Sequence, residues 1–243
     1  MREFTTEQLA DRWYDLREIT NLAGKYVTSR LLKREKTIFE DFWADAEDVC
    51  LSDNFGRYVG KEAVAGYFAA AAEAVAVKSQ LLQSLFPEQL GGKTAEEAYG
   101  VGQLLSLPLT TPVVEIAGDG KTAKGMWNVQ GSDNDITAQG PVSNWSIGYL
   151  CIDFLRQEDS WKIWHLMYVE DVRCPMGQSW VHPQELPAEP GFESLSSIET
   201  PSYTQAVSCF PVYTSDRPFT PPPEIPVPYE TFDETFTYGA ERS

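Results

Sequence analysis

The chain has 243 residues, of which 42% are hydrophobic and 12% aromatic, a composition typical of a folded protein rather than a disordered one. Its formal charge of -17, from 19 basic and 36 acidic residues, repels phosphate backbones and anionic lipid, so we expect neither nucleic acid nor membrane partners. There is no apolar run of membrane-spanning length and no apolar signal core, so we expect a cytoplasmic protein. Four widely spaced cysteines without a CxxC pair predict reduced thiols and no metal site.

The first half of the chain is mainly helical in pattern. Apolar side chains recur at three- and four-residue spacing over residues 5–35, which predicts one amphipathic helix, or two sharing the span, with Trp13 on the buried stripe. A short strand is expected over residues 46–53. After an edge segment and Gly60, an alanine-rich stretch predicts a helix that runs to about Leu82. The polar, glycine-rich sequence that follows indicates an inserted loop with a short helix.

The second half of the chain changes to the two-residue period of strands. Two β-rich runs flank the Gly-Asp-Gly-Lys sequence at 118–121, a strong hairpin signal, and a second hairpin is expected around Gln157–Asp159. Alternation places Asp153 and His165 on the same face of the second hairpin. A three-residue loop there would put Cys151 opposite His165, with Asp153 diagonal to it. A different loop length would change this register.

The composition shifts again after Asp171. Twelve of the sixteen prolines follow it, and proline excludes long helices and central strands. The same region is rich in aromatic residues, which is unusual for a solvated linker. We therefore predict a domain over 1–175 and an extended arm over 176–243 that packs on the domain or on a neighbouring subunit.

Several segments carry a resemblance to a known family. They are NLAGKY, DNFGRYVGKEAVAGYF, TTPVVEIAGDGKTAKGMW and the pair YLCIDF and DSWKIWHL. In this order they resemble the SnoaL-like branch of the nuclear transport factor 2-like superfamily, over about residues 8–175. The tail motif PVPYETFDETFTYG is similar to that of a long-tailed subgroup. The resemblance implies an α+β cone, in which a curved antiparallel sheet carries helices on one side.

The resemblance also implies a function. Enzymes of this kind are lyases, such as dehydratases and retro-aldol-type enzymes, or isomerases, and they abstract a proton from a hydrophobic aromatic or polycyclic molecule in the mouth of the cone. They work without metal or organic cofactor. Homo-oligomers are usual, and we expect a trimer rather than a dimer. Because a fold does not fix a function, two alternatives stay open. These are a non-catalytic small-molecule-binding module and the small subunit of a ring-hydroxylating oxygenase.

Four residues are the candidates for catalysis. His165 is a candidate general base oriented by Asp153, although both could instead be structural, His165 as a core histidine and Asp153 as a rim carboxylate in a salt bridge. Tyr26 and Arg30 lie four residues apart on the first helix, so their side chains could jointly bind an oxyanion. The alternative places Tyr26 in the core and Arg30 in solvent.

The remaining candidates are substrate-binding residues. Aromatic walls are expected from Tyr58, Trp127, Tyr149 and Tyr168, although Trp127 could equally be pure core. Asp53 and Asn54 precede a turn, where an Asx role competes with a role in binding. Members of the superfamily that eliminate water or halide commonly carry a second strand histidine, and Leu107 stands at the corresponding position here. The sequence therefore predicts either a different base, a different reaction, or binding alone.

Overall fold

The computed structural model describes residues 4–137, 139–181, 202–206, 213–216 and 223–240. Its helices are α1 (Thr6–Leu31), α2 (Glu35–Phe42), α3 (Lys61–Leu85), α4 (Pro87–Leu90) and α5 (Ala95–Ala98). Its strands are β1 (Cys50–Ser52), β2 (Gly56–Val59), β3 (Leu105–Ser106), β4 (Leu109–Ile116), β5 (Thr122–Thr137), β6 (Gly140–Gln157), β7 (Ser160–Pro175) and β8 (Gln205–Ala206). A 3-10 turn spans Phe232–Glu234. None of the described helices is long and apolar enough to cross a membrane.

Two helices share the first predicted helical span. Helix α1 begins with a capping box, in which the Thr5 side chain and the Gln8 backbone and side chain bond reciprocally. The break before α2 falls at Lys33, whose φ of 57° lies in the left-handed region. The prediction of a buried stripe from the start of α1 is wrong, because Trp13 is 72% exposed. The buried face begins at Asp15 and includes Tyr26.

Seven strands form one curved path in the order β3, β5, β6, β7, β1, β2, β8, and β4 pairs with β5 beside β3. Strand β1 runs parallel to β7, and the other pairings are antiparallel. Helices α1, α2 and α3 pack on one face of the sheet, here called the inner face. The core between them includes Ile19, Phe68, Trp127, Ile152 and Phe154. The predicted α+β architecture, with helices on one side of the sheet, is confirmed.

The register of the long β6–β7 hairpin differs from the predicted one. Gln157 pairs with Ser160, so the loop has two residues and not three. The left-handed residue in it is Glu158, with φ 52°, rather than Asp159. A two-residue loop with a left-handed first position matches the twist of the paired strands.

A bulge then shifts the hairpin register at Trp164. Beyond it, Asp153 lies directly opposite His165, and Cys151 lies opposite Met167 rather than His165. A bulge inserts one unpaired residue and so changes which side chains share a face. The predicted contact between Asp153 and His165 is therefore present, at a register that the loop alone would not produce.

The described parts of the arm lie on the domain of their own chain. Thr204 N donates to Arg57 O over 2.8 Å, next to the pairing of β8 with β2. Gly118 N donates to Tyr229 O over 2.9 Å. The segment 223–240 covers the outer face of the sheet, opposite the helices. His182 and Cys209 fall outside the described residues, and Cys50, Cys151 and Cys174 are free buried thiols.

Candidate active site

A cavity of about 220 Å³ lies between the helices and the inner face of the sheet. Its apolar wall comes from Leu51, Ala71, Ala74, Val75, Leu105, Leu107, Leu150 and Leu166. Its polar wall comes from Tyr26, Arg30, Lys33, Glu35, Asp53, Asn54, Tyr67, Lys78, Gln103, Asp133, Asn134, Asp135, Ser146, Tyr168, Glu170 and Arg173. The wall therefore combines apolar surface with many polar and charged groups, and a concave site with placed polar groups is the usual form of a small-molecule site.

Glu170 is the central carboxyl group of the polar wall. It is 6% exposed and projects from β7 beside Ser146 of β6, whose hydroxyl donates to Glu170 Oε1 over 2.5 Å. The hydroxyls of Ser146 and Tyr168 are 2.6 Å apart, which extends the chain of hydrogen bonds along the wall. Asn54 fixes the backbone of Glu170, because its amide donates to Glu170 O over 2.8 Å and accepts from Glu170 N over 2.7 Å.

Burial raises the pKa of Glu170 to about 7, against the opposing effects of Arg173 and of the Ser146 hydroxyl. A carboxyl group with this pKa exchanges protons near neutral pH. Burial also raises the pKa of Tyr168, so its hydroxyl stays protonated and can donate a hydrogen bond.

Arg173 binds the acidic groups at one end of the cavity. It contacts Asp133 Oδ2 over 2.5 Å and Asp135 Oδ2 over 3.0 Å, and lies 3.6 Å from Glu170 Oε1. Asn144 donates to the same two aspartates over 3.0 and 2.8 Å. These bonds hold the side chains of β5, β6 and β7 in one arrangement around Glu170.

A second polar group comes from the C-terminal half of α1. Arg30 Nε lies 3.9 Å from Glu35 Oε1, and Arg30 Nη1 lies 3.5 Å from the hydroxyl of Tyr67. Within the described part of the chain, Arg30 Nε and Glu35 Oε2 are buried without a hydrogen-bond partner. Burial raises the pKa of Tyr26 to about 12, while Arg30 acts to lower it, so the phenol is neutral at pH 7. Arg30 thus presents an unused buried donor beside a neutral phenol.

Asp53 stabilises the turn that follows it, which is one of the two roles expected from the sequence. Its Oδ1 accepts from Phe55 N over 2.8 Å and Gly56 N over 3.1 Å, an Asx turn. Its Oδ2 accepts from the hydroxyl of Tyr203 over 2.9 Å. Burial raises the pKa of Asp53, and these bonds oppose that rise. Asp53 also lines the cavity, as does its neighbour Asn54.

The structure brings Asp153 and His165 together, but on the outer face of the sheet. Nδ1 of His165 lies 2.9 Å from Asp153 Oδ2, and Lys124 Nζ donates to Asp153 Oδ1 over 2.6 Å. Asp153 and Lys124 are completely buried and His165 is 4% exposed. Neither Asp153 nor His165 lines the cavity, which lies on the other side of the sheet. Their place agrees with the structural alternative for His165 and Asp153 rather than with a general base that acts in this cavity.

The C-terminal segment covers Asp153, His165 and Lys124, here called the outer triad. Tyr238 N and Thr237 Oγ1 donate to Asp153 Oδ2 over 2.8 and 3.1 Å. The centroids of Phe232, Phe236 and Tyr238 lie 4.7, 4.2 and 5.0 Å from Lys124 Nζ, so three aromatic rings surround the ammonium group. The arm thus supplies both hydrogen bonds and cation–π contacts to the buried charges.

The predicted aromatic wall is only partly realised. Tyr168 and Leu107 line the cavity. Trp127 is core, packed edge-on against Phe154 and absent from the cavity lining. Tyr58 is buried against Tyr67 and Tyr203, and Tyr149 packs with the outer cluster that contains Met126, Cys151, Met167, Val169 and Tyr238. These three side chains contribute no lining surface to the cavity.

Sequence reasoning missed Ser146, Glu170 and Arg173, and also the buried Lys124. A signal existed in the strand pattern. Ser146, Tyr168 and Glu170 are polar positions on the same face as Leu150 and Leu166, continuing an apolar stripe. Polar residues that continue a buried face need partners inside the protein. Within the described residues, no cluster of three or more histidine, cysteine or acidic side chains is arranged to hold a metal ion.

Solved structures share the fold at low sequence identity. LinA is 13% identical, with a TM-score of 0.50 over 72% of this chain and 98% of its own. Hexachlorocyclohexane dehydrochlorinase LinA-type3 from Novosphingobium barchaimii LL02 is 15% identical, with a TM-score of 0.50 over 72% and 99%. An NTF2-like protein of unknown function from Pseudomonas putida KT2440 is 14% identical, with a TM-score of 0.39 over 63% and 84%. No protein-family model and no curated protein matches the sequence. The two LinA structures share this fold, a curved and mainly antiparallel sheet with helices on one side, as the expected cone would have.

Proposed function

We propose that the protein is a cofactor-independent lyase or isomerase that removes a proton from a hydrophobic ring compound bound in the inner cavity, with Glu170 as the base. The observation that carries this proposal is the position of Glu170, a buried carboxyl group on the wall of the inner cavity. Its backbone is fixed by Asn54 and one of its oxygens is held by Ser146. A base must be positioned before its pKa matters.

The charge state of Glu170 fits the task. Its pKa of about 7 leaves a large fraction ionised at neutral pH and makes the carboxylate a stronger base than an exposed glutamate. After taking the proton, the carboxyl group can deliver it to a leaving group, which completes an elimination, or to another carbon, which shifts a double bond. Both outcomes use the same first step.

Arg30 and Tyr26 are the proposed donors to the negative charge that develops on the substrate. Loss of a proton next to a carbonyl or on a phenol ring places charge on oxygen, and preorganised donors stabilise it. Arg30 lines the cavity, and its buried Nε has no hydrogen-bond partner among the described residues. A bond to a ligand would give this N–H the partner that it lacks. The phenol of Tyr26 is neutral and can donate beside it.

The cavity wall supports an apolar ring as substrate. Leucine and alanine side chains from β1, β6, β7 and α3 line it, and burying a ring against such a wall releases water from both surfaces. The fold neighbours include a protein named as a hexachlorocyclohexane dehydrochlorinase. That name agrees with elimination from a ring, and at 15% identity it adds no residue roles.

Asp153 and His165 have a structural role in this proposal. They lie beneath the C-terminal segment and bond to Thr237, Tyr238 and Lys124. Proton transfer by His165 to a ligand in the cavity would have to pass through the sheet. Glu170 therefore replaces His165 as the proposed base.

Deuterium exchange tests the proposal without knowledge of the complete reaction. The protein is incubated in D2O with bicyclic ketones such as 2-tetralone, and mass spectrometry follows the uptake of deuterium above the rate without protein. Glu170→Gln removes the base with little change of shape, and we expect the catalysed rate to fall by about 10²–10⁴-fold. Glu62→Gln, on the exposed first turn of α3, is the matched control and should exchange at the wild-type rate.

A binding module of the same fold would give a different result. It would bind the ketones, detectable as a shift in thermal unfolding, without accelerating exchange in either protein. Equal exchange by wild type and Glu170→Gln would also reject Glu170 as the base. In that case His165→Gln identifies whether the outer triad takes part.

A further inference from the structure

Two lysines line the cavity without a bonded partner. Lys33 lies in the link between α1 and α2, and Lys78 lies on α3. In the described part of the chain neither side chain makes a hydrogen bond or an ion pair. Partly buried lysines usually find a carboxylate, because an isolated ammonium group loses solvation on burial. These two instead lie at the cavity wall without such a carboxylate partner.

The backbone and a close packing contact hold Lys33 in place. Its own φ is 57°, so the chain turns sharply there. Its side-chain stem passes so close to Gly100 that a Cβ at that glycine would lie 2.7 Å from Lys33 Cγ. Gly100 itself has φ +74°, a conformation that favours glycine. The left-handed backbone conformations of Lys33 and Gly100 thus fix the position of the Lys33 side chain.

Each lysine has cations as well as carboxylates among its charged neighbours. Lys33 faces Glu35 and Asp133 but also Arg30 and Lys78. Burial and the two cations lower the pKa of Lys33 to about 8, despite the carboxylates.

Lys78 faces Asp133 and Asp135, together with Arg173 and Arg30. Burial is the largest cause of the lowered pKa of Lys78. The two aspartates already accept bonds from Arg173 and Asn144. Their charge is therefore shared with other donors, and the two ammonium groups repel each other across the cavity wall.

We propose that Lys33 and Lys78 together bind a carboxylate substituent of the ring compound that occupies the cavity. The inference rests on the proposed function only in taking the cavity as the ligand site. A carboxylate between two ammonium groups cancels their repulsion and accepts charge-assisted hydrogen bonds from both. It would hold the ring by a group separate from the C–H that Glu170 deprotonates, so the substrate is an aromatic or alicyclic carboxylic acid.

Calorimetric titration of a matched ligand pair tests this inference. Naphthalene-2-carboxylate and naphthalene-2-carboxamide have nearly the same shape and differ in charge. For the full-length wild type at pH 7 we expect the carboxylate to bind at least about 10-fold more tightly. Lys33→Met and Lys78→Met should each reduce that preference by about 3-fold or more, and the double variant should abolish it. Lys25→Met, exposed on α1, should retain it.

Two internal controls separate folding from recognition. The amide should bind all variants with wild-type affinity, which shows that the cavity is intact. The preference of the wild type should also decline above pH 8, where Lys33 loses its proton, and this decline should vanish in Lys33→Met.

Equal affinity for the two ligands, absence of binding by both, or a preference that survives in the double variant would overturn the inference. The catalytic proposal fails separately. If the preference for carboxylate is present and Glu170→Gln exchanges deuterium as fast as the wild type, the anion site stands and the base is rejected. If exchange depends on Glu170 and the preference is absent, the reverse holds.

Discussion

Nζ of Lys124 lies 2.6 Å from Oδ1 of Asp153, and both side chains have no exposed surface. A buried ion pair persists only when further bonds compensate the loss of water. Here Asp153 accepts from Thr237 and Tyr238, and aromatic rings surround Lys124. The pair therefore depends on the C-terminal segment, although it lies in the middle of the sheet.

We expect removal of one member of the pair to be strongly destabilising. Lys124→Met leaves the Asp153 carboxylate buried without its cation, and the free energy of unfolding should fall by about 3–5 kcal/mol. Adding Asp153→Asn removes the unpaired buried charge and keeps an acceptor for Tyr238 N. The double variant should therefore recover part of the lost free energy of unfolding. Urea denaturation measures both. Lys121→Met, on the exposed adjacent turn, is the control, and a loss of the same size there would contradict the argument.

Removal of a single aromatic ring from the segment 223–240 should expose part of the outer face of the sheet. Tyr238 is 2% exposed, packs 5.1 Å from Phe236 and donates to Glu224 O over 2.6 Å. Tyr238→Ala should lower the free energy of unfolding by about 3–5 kcal/mol through lost packing. Tyr213→Ala, at a 38% exposed position, should cost much less. Equal effects of the two variants in a urea titration would mean that the segment does not cover the sheet in solution.

The raised pKa of Glu170 predicts how stability depends on pH. In the folded protein Glu170 keeps its proton up to about pH 7, whereas the unfolded chain releases it near 4.5. The unfolded state therefore binds fewer protons between these values, and this group makes stability decrease as pH rises, by roughly 1.4 kcal/mol per pH unit. Glu170→Gln should remove that slope. Denaturation series from pH 4.5 to 7.5 on both proteins measure it, and parallel curves would contradict the assignment.

Activity should depend on pH in the opposite direction. The carboxylate of Glu170 is the base, so kcat/KM for deuterium exchange should rise tenfold per pH unit below about 7 and then level off. The hydrogen bond from Ser146 lowers the pKa of Glu170. Ser146→Ala should therefore move the midpoint of the profile to higher pH. A midpoint that moves to lower pH, or a flat profile in the wild type, would be inconsistent with Glu170 as the base.

Arg30→Lys tests the proposed stabilisation of negative charge on the substrate. It keeps the positive charge and removes the guanidinium donors that face the cavity, so kcat should fall by about 10²–10³-fold while KM changes little. Arg34→Lys, at an exposed position four residues later, serves as the matched control. A change confined to KM would instead place Arg30 in ground-state binding.

The sequence allowed the fold class and the contact between Asp153 and His165 to be predicted, because alternation in long strands fixes which side chains share a face. Alternation does not say which face is inside. The inner face of a sheet is usually recognised because its side chains are less polar than those of the outer face. Here both faces are buried, one by helices and the other by residues 223–240. The apolar neighbours of Asp153 therefore pointed to the interior of the protein, although to the wrong side of the sheet.

The cavity residues were harder to predict for a different reason. Glu170 and Arg173 sit where β7 approaches its end, and charged residues at strand ends are usually solvated. Their burial follows from the pairing of β7 with a long β6 and from bonds to Ser146, Asn54 and the aspartates of β5. These are tertiary contacts between distant parts of the chain. Tyr26 and Arg30 were found because helical spacing alone places them on one face.

The cover of the outer face has a consequence for synthesis. All strands of the sheet except β8 have been made once β7 has left the ribosome. Phe232, Phe236 and Tyr238 follow β7 only after the whole of residues 176–231. At a rate of synthesis of roughly 5–20 residues per second, the rings and donors that enclose Lys124 and Asp153 are made several seconds after β7. During that interval a nascent chain exposes an apolar sheet face with a charged pair at its centre. That face stays open to other apolar surfaces until the segment 223–240 packs on it.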